Sequence, residues 1–233
     1  MKLSTIAKTS LALGILTTGV MTTYAQSVDS EAQASVQTKI STEDLKTYYS
    51  KKSFELKKVK GDREGNIVKV IDRFQLTNVK LIGKDIEDLK SKNLSNIDVF
   101  VVKENNSKFS DNDSIGGITK ASEKRFVDWS INPTITLKKS NGIVTSEGPI
   151  GTLPILKDKV TLKELDFKLR NKLINENGLY SNGNNSGVIT VRMKDRKIDN
   201  DYYSFVLDNK LQEHRMGDVI DATQIDRIDV EYK

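Results

Sequence analysis

The sequence predicts an α+β fold in which a small β-barrel precedes a mixed sheet that is crossed by one long helix. Two observations support this prediction. Between residues 54 and 137, short apolar runs alternate with polar residues at a period of two, which is typical of half-exposed strands. From residue 159 to 180, the stretch KVTLKELDFKLRNKLINENGLY has the apolar spacing of a helix and a marked residue at each end.

The first half opens with a short helix, because the polar start STED at residues 41–44 precedes apolar residues at helical spacing. Glycine turns separate the alternating runs that follow, and residues 85–92 fit a second short helix. Short strands at near-regular spacing favour a small barrel, of which the oligonucleotide/oligosaccharide-binding (OB) type is one candidate. The predicted strands cover residues 54–56, 67–71, 76–82, 97–102 and 135–137.

The helix of the second half is marked at both ends. Thr161 is the predicted N-cap, and Glu164 completes a capping box. Gly178 is the predicted C-terminal stop. Leucines at helical spacing predict one buried stripe, formed by Leu162, Leu165, Leu169 and Leu173. The strands predicted after the helix complete a compact α+β unit and cover residues 189–193, 203–207 and 228–232.

The N-terminal 25 residues are typical of a secretory signal peptide. Lys2 and Lys8 precede an apolar run without charges, and this run is too short for a membrane span. Small residues allow cleavage after Ala25 or after Ala34, and we expect at least residues 1–25 to be removed. The expected protein is therefore secreted and extracellular, without membrane insertion.

Three segments are expected in the remaining chain: a flexible leader over residues 26–40, a barrel domain over 41–150 and a helix-containing domain over 151–233. The chain has no cysteine, so these exported domains depend on apolar cores rather than on disulfides. Removal of the two leader lysines lowers the formal charge from +5 to +3. Such a mildly basic balance fits either a solvated surface or attraction to acidic glycans and acidic protein surfaces.

The sequence offers little for catalysis or for a cofactor. His214 is the only histidine, it lies in the charged stretch QEHR, and no Gly-x-Ser-x-Gly elbow supplies a nucleophile. One histidine without cysteines leaves no structural zinc site, and residues 111–114 (DNDS) lack the glycine and distal glutamate of a calcium loop, so they are interpreted as a polar loop. One tryptophan, Trp129, gives no stacking platform for nucleic acid. We expect no enzyme, no cofactor, no metal and no nucleic-acid partner.

The helix and its flanks resemble the C-terminal signature of staphylococcal and streptococcal superantigen toxins. The matching positions are Lys157, Val160, Leu165, Asp166, Arg170, Leu173, Leu179 and Tyr180. Four segments are similar to the staphylococcal superantigen-like (exotoxin-like) group of that superfamily: NIDVFVV (96–102), SIGGITK (114–120), TLKELDFK (161–168) and RMGDVID (215–221). The resemblance covers nearly the whole chain and implies an N-terminal OB-fold barrel followed by a C-terminal β-grasp domain.

Two positions differ from the pattern of true T-cell superantigens. Ile115 replaces the tyrosine of a Tyr-Gly-Gly sequence, and Lys124 stands where an asparagine is usual. The chain also lacks the cysteines that form a disulfide loop in many enterotoxins. The resemblance therefore implies a superantigen-like protein rather than a T-cell mitogen.

Family members that bind sialylated glycans share a pattern in the second half, which this sequence keeps at Lys210, Gln212 and Arg215, with Ser204 in the place of a threonine. The resemblance implies that Arg215 forms a forked contact with a sialic acid carboxylate while the other three hold hydroxyls. Val206 replaces the glutamate of the pattern and cannot accept a sugar hydroxyl, and the nearby loop at 195–201 is lengthened. On the alternative interpretation, the apolar residues of this stretch are core and the polar ones are only solvated.

The leading hypothesis from the sequence is a secreted, non-enzymatic immune-evasion protein that binds and blocks a host immune protein. The candidate partners are an immunoglobulin, a complement component or an innate receptor. The alternative is a protein that binds sialylated glycans on leukocyte glycoproteins through its C-terminal domain. Trp129 and the strand from Ile97 to Val102 are candidate contact surfaces of the barrel. An exposed strand edge can pair with a second copy, so a possible homodimer is also expected.

Overall fold

The structure is a computed structural model that describes residues 40–104, 111–122, 130–140, 145–194 and 202–233. The predicted signal peptide, the leader up to residue 39, Lys124, Trp129 and the loop at 195–201 lie outside these ranges.

The helices are α1 (Thr42–Tyr49), α2 (Asp85–Asp88) and α3 (Leu162–Asn177), with one-turn 3-10 helices at Glu213–Arg215 and Ala222–Gln224. The strands of the first half are β1 (Ser53–Glu64), β2 (Ile67–Asp72), β3 (Gln75–Lys80), β4 (Asn93–Val102), β5 (Asn112–Ile115) and β6 (Ile118–Lys120). Those of the second half are β7 (Thr134–Ser140), β8 (Thr145–Thr152), β9 (Lys159–Thr161), β10 (Gly187–Met193), β11 (Tyr202–Val206), β12 (Val219–Asp221) and β13 (Ile225–Tyr232).

Both short helices predicted in the first half are present. Ser41 caps α1 by accepting the Asp44 N–H on its hydroxyl at 3.1 Å, and the helix buries Leu45 and Tyr49. The second helix, α2, ends at Asp88 and is shorter than predicted. In the part of the chain that the structure describes, no helix combines the length and the apolar character needed to cross a membrane.

Six strands of the first half form one sheet in the order β5-β3-β2-β1-β4-β6. The pairing of β1 with β4 is irregular between Leu56 and Gly61, and such bulges bend a strand and increase its twist. The sheet surrounds its own apolar core, which consists of Leu56, Val68, Val70, Val79, Leu81, Leu94, Ile97, Val99, Val101 and Ile118. The strand-rich barrel predicted for this half is confirmed.

Strand β4 is buried on both faces, which explains its nearly continuous apolar run. Val99 and Val101 belong to the barrel core, whereas Phe100 and Val102 pack in a second core together with α3. Every residue from Ile97 to Val102 is buried. This strand therefore cannot be the contact surface that the sequence suggested.

Five strands form a mixed sheet in the order β11-β10-β13-β7-β8, and α3 crosses it. β7 runs parallel to β13. The pairing begins with Thr134 opposite Arg227 and ends with Lys139 opposite Tyr232. Inward-facing residues of the sheet, among them Ile189 and Val230, share one core with the helix. This arrangement confirms the predicted α+β unit.

The sheet pairing places the division of the chain earlier than the expected boundary at residue 150. β7 and β8 pair with the C-terminal strands, so Ile135 and Leu137 belong to the second sheet and do not close the barrel. A half-buried strand has the same period of two in either sheet, and for this reason the sequence could not assign it. The first sheet ends at Lys120 and the second begins at Thr134.

Helix α3 confirms the predicted stripe, because Leu162, Leu165, Leu169 and Leu173 are at most 1% exposed. The Thr161 hydroxyl accepts the Glu164 N–H at 3.2 Å, and Gly178 ends the helix with a φ of 70°. The capping box is only half formed. The Glu164 carboxylate pairs instead with Lys157 at 2.5 Å and with Lys168 at 2.6 Å.

The segment interpreted as a polar loop, residues 111–114, is largely a strand. It overlaps β5, which pairs parallel to β3 from Thr77 and Asn112 onwards. Ser114 is 2% exposed, and its hydroxyl accepts a hydrogen bond from Lys163 of α3 at 2.8 Å. These polar side chains therefore link the first sheet to the helix.

Truncating the leucine stripe tests the assignment of this core. We expect Leu169→Ala to lower the free energy of unfolding by about 2–5 kcal/mol, because it leaves a cavity at a fully buried position. Leu156→Ala is the matched control, since Leu156 is 53% exposed, and it should change stability by less than about 1 kcal/mol. Urea denaturation followed by circular dichroism measures both variants, and equal losses would contradict the assignment.

Candidate functional site

Strand β11 is an edge of the five-stranded sheet, and one hydrogen bond fixes the direction of its backbone groups. The Leu207 N–H donates to the Gly187 carbonyl at 2.9 Å, so every second pair along the two strands is hydrogen-bonded in the same way. Ser204 and Val206 fall between these pairs and direct their N–H and C=O groups away from β10. The Phe205 side chain points into the core and is buried.

The outward carbonyls of this edge accept hydrogen bonds from two guanidinium groups. Arg215 Nη1 donates to the Ser204 carbonyl at 3.2 Å, and Arg170 Nη2 donates to the Val206 carbonyl at 2.9 Å. An edge with occupied carbonyls is a poor template for another strand, so β11 does not support the expected homodimer. The N–H groups of the same two strand residues still point outward.

Arg215 is held in place, yet within the described ranges it has no carboxylate partner at ion-pair distance. Its Nη1 also donates to Gln212 Oε1 at 3.2 Å, and its guanidinium lies 5.9 Å from the centroid of the Phe205 ring. Burial lowers the pKa of Arg215, while the Asp218 carboxylate opposes this effect. An arginine nevertheless keeps its charge at neutral pH, so the site contains a partly buried cation with donors to spare.

The structure directs one predicted site residue, Lys210, away from the other three. Lys210 Nζ lies 3.8 Å from the centroid of the Tyr48 ring and 3.6 Å from Glu104 Oε2. The Tyr48 hydroxyl donates to Glu104 at 2.8 Å. Burial and, after it, the Glu104 carboxylate raise the pKa of Tyr48, so this hydroxyl remains a donor. The charge of Lys210 is thus compensated by the first half of the chain.

Two family models match the chain. Residues 43–122 match the staphylococcal superantigen-like OB-fold domain, and residues 133–232 match the β-grasp domain of staphylococcal/streptococcal toxins. Superantigen-like protein 11 of Staphylococcus aureus strain Newman is 41% identical over 230 residues, which cover 99% of each chain.

The chain belongs to the staphylococcal superantigen-like family.

Solved structures of the family share this fold, and two of them contain a glycan. The staphylococcal superantigen-like protein SSL5 in complex with sialyl Lewis X matches with a TM-score of 0.74 at 36% identity, over 83% of this chain and 100% of that chain. A superantigen-like protein from Staphylococcus aureus in complex with sialyl-Lewis X matches with the same TM-score and identity, over 82% of this chain and 98% of that chain. The six-stranded sheet is the OB-fold domain, and the five-stranded sheet with α3 is the β-grasp domain.

Arg170, which the sequence marked only as a signature position, lies behind the end of β11. It is 0% exposed, and its Nε donates to Asp166 at 2.7 Å. Nη1 donates to the Tyr180 hydroxyl at 2.6 Å and to the Leu207 carbonyl at 3.0 Å. Burial disfavours the charged guanidinium, but the Asp166 carboxylate, together with Tyr49 and Tyr180, more than offsets burial, so the pKa of Arg170 is raised. The end of β11 is therefore bonded to the middle of α3.

Tyr49 extends this network to the N-terminal helix α1. Its ring stacks 4.4 Å below the Arg170 guanidinium, and its hydroxyl donates to Asp166 Oδ2 at 2.6 Å. The same hydroxyl accepts the Leu211 N–H at 3.2 Å. The chain that leads from β11 to Arg215 is thus anchored to both α1 and α3.

The described ranges contain no group of three or more His, Cys, Asp or Glu side chains arranged to hold a metal ion. His214 lies on the 3-10 helix beside Arg215, and its side chain is exposed. The Arg215 guanidinium and the outward N–H groups of Ser204 and Val206 are hydrogen-bond donors of the kind that can bind an anion.

Removing the buried guanidinium tests the network behind the site. We expect Arg170→Met to lower the free energy of unfolding by about 3–5 kcal/mol, because Asp166 is then buried without a cation. Arg227→Met is the matched control. Its side chain is 43% exposed and pairs with Asp226 and Asp229, so its loss should cost less than about 1 kcal/mol. Guanidinium denaturation measures both, and similar losses in the two variants would exclude a special role for Arg170.

Proposed function

We propose that the chain is a secreted, non-enzymatic immune-evasion protein that binds sialylated glycans on host glycoproteins through the outer edge of β11. The observation that carries the proposal is the Arg215 guanidinium, which Ser204 and Gln212 orient and which lacks a carboxylate partner in the described chain. A fixed cation of this kind forms strong charge-assisted hydrogen bonds with a carboxylate. The two relatives in complex with sialyl Lewis X support the ligand class.

The chemistry of a sialic acid fits this edge. We place its carboxylate at the free donors of Arg215, next to the outward N–H groups of Ser204 and Val206. The amide nitrogen of Gln212 is left for a sugar hydroxyl, because its oxygen already accepts from Arg215. Val206 is 48% exposed and offers an apolar contact in place of an acceptor. Lys210 takes part only if it leaves Tyr48 and Glu104, so we expect it to contribute least.

A second candidate function is the binding of a host immune protein, such as an immunoglobulin, a complement component or an innate receptor, through the OB-fold domain. The tip of the β2–β3 hairpin exposes Phe74 (99%) and Ile71 (69%), and Leu76 lies opposite Ile71 in the register. A cluster of exposed apolar side chains that includes an aromatic ring is typical of a protein contact. This surface is separate in sequence from the glycan site, so the two functions are compatible.

The glycan proposal is tested with the mature protein and the sialyl Lewis X tetrasaccharide. Arg215→Ala should weaken binding by about tenfold or more, because it removes a charge-assisted contact to the carboxylate. Arg227→Ala removes the same charge from an ion-paired arginine of the same domain and should leave the Kd nearly unchanged. Isothermal titration calorimetry provides the two values, and equal weakening in both variants would contradict the assignment.

Leukocyte binding separates the two candidate functions. If the glycan carries the interaction, binding should disappear after sialidase treatment of the cells and in Arg215→Ala, and it should persist in Phe74→Ser. If binding survives sialidase and is lost in Phe74→Ser, the hairpin of the OB-fold domain is the functional surface instead.

A further inference from the structure

The turn that carries Arg215 rests directly on the first half of the chain. Gly116 has a φ of 56°, and a Cβ at this position would lie 2.8 Å from the carbonyl carbon of Met216. A Cβ at Gly83 would lie even closer to the His214 carbonyl oxygen and would collide with it. Neither glycine can gain a side chain unless the turn moves, which means that two backbone contacts fix its position.

The Asp85 carboxyl group makes a third contact with the turn. Asp85 is 3% exposed, and its carboxyl group lies so close to Gly217 that a Cβ on this glycine would collide with it. The Oδ2 atom of Asp85 has no hydrogen-bond partner among the residues that the structure describes. A buried carboxylate oxygen without a donor is costly when the group is ionised.

The charges around Asp85 add to this cost. Burial and, after it, the carboxylates of Asp218 and Asp88 raise the pKa of Asp85 to about 7. Lys163 is the charge that opposes them. Asp218 directly follows the glycine that Asp85 touches, so an ionised Asp85 repels the turn itself.

Lys163 does not neutralise Asp85 by an ion pair. Its Nζ donates instead to two acceptors of β5, at 2.6 and 2.8 Å, and burial lowers the pKa of Lys163 to about 7. Lys163 therefore loses its positive charge in the same pH range in which Asp85 ionises. The other titratable groups at the turn are Glu213, which pairs with Lys80 at 3.7 Å, and the exposed His214.

We propose that Asp85 is a positioning residue for the glycan site: its neutral carboxyl group lets the turn pack against the OB-fold domain, and its ionisation displaces the turn together with Arg215. This inference rests on the proposed glycan-binding function of Arg215. The affinity for a sialylated glycan is then highest in mildly acidic surroundings and falls as the pH rises.

Proton linkage determines whether the packed turn gains or loses stability as the pH rises. A carboxyl group whose pKa is raised from 3.8 to about 7 in the packed state binds its proton more tightly there than in an open state. The packed turn therefore loses stability relative to the open turn as the pH rises from about 4 to about 7. Above that range Asp85 is ionised in both states, and its contribution no longer changes.

The test measures the Kd of the sialyl Lewis X tetrasaccharide at about pH 5.5 and about pH 8 for the mature protein and its variants. We expect the wild type to bind about fivefold more weakly at the higher pH. Asp85→Asn should keep the low-pH affinity at both values. Glu87→Gln removes a charge from an exposed position of the same helix that is not among the charges acting on Asp85, and His214→Asn removes the neighbouring imidazole; both should retain the pH dependence of the wild type.

The proposal is overturned if Asp85→Asn retains the wild-type dependence on pH or if His214→Asn abolishes it. A second readout needs no glycan: hydrogen exchange of the Met216 and Asp218 amides, which are hydrogen-bonded within the turn. At about pH 8, slower exchange in Asp85→Asn than in the wild type supports the positioning role. This result holds even if no variant binds the tetrasaccharide. In that case only the proposed glycan-binding function fails. Equal exchange overturns the positioning role.

Discussion

The fully buried charge of Arg170 constrains how α1, α3 and β11 pack together. A guanidinium without access to water needs a counter-charge and an acceptor for its other donors, and α3 itself supplies only Asp166. The remaining partners are Tyr180, just after the helix, and the carbonyls at the end of β11, while the ring of Tyr49 from α1 stacks on the guanidinium. Four parts of the chain must therefore adopt one arrangement together. This requirement explains how a chain without cysteines fixes an edge strand.

Two arginines donate hydrogen bonds to the outer edge of β11, but only one of them is left able to bind a ligand. Arg170 and Arg215 each donate to an outward carbonyl of the strand. Arg170 is fully buried and paired with Asp166, so its charge and its hydrogen bonds stabilise the fold. Arg215 is only partly buried and has no such partner in the described chain, so its capacity is available to a ligand. The OB-fold domain contributes as well, because Asp85 and the neighbouring glycines hold the turn on which Arg215 lies.

Local periodicity was sufficient to predict the leucine stripe of α3, both of its ends and most of the longer strands. It could not predict that β7 pairs with β13, because that choice depends on a strand far along the chain. Short strands such as β5, β9 and β12 contain three or four residues and show no period. The helical period marked only the leucines of α3 as buried, yet Lys163, Glu164, Asp166 and Arg170 are also at most 3% exposed. Their partners lie elsewhere in the sequence, so neither the role of Arg170 nor the orientation of Lys210 could be predicted.

A backbone amide titration shows directly whether a sialylated glycan binds at the outer edge of β11. Isotope-labelled mature protein is titrated with the sialyl Lewis X tetrasaccharide and followed by two-dimensional nitrogen–proton correlation spectra. The expected result is a saturable shift of the Ser204 and Val206 amides and of the Arg215 Nε–H, while the barrel strands β1 to β3 remain unchanged. Shifts confined to the β2–β3 hairpin, or no shift at saturating glycan, would contradict the account.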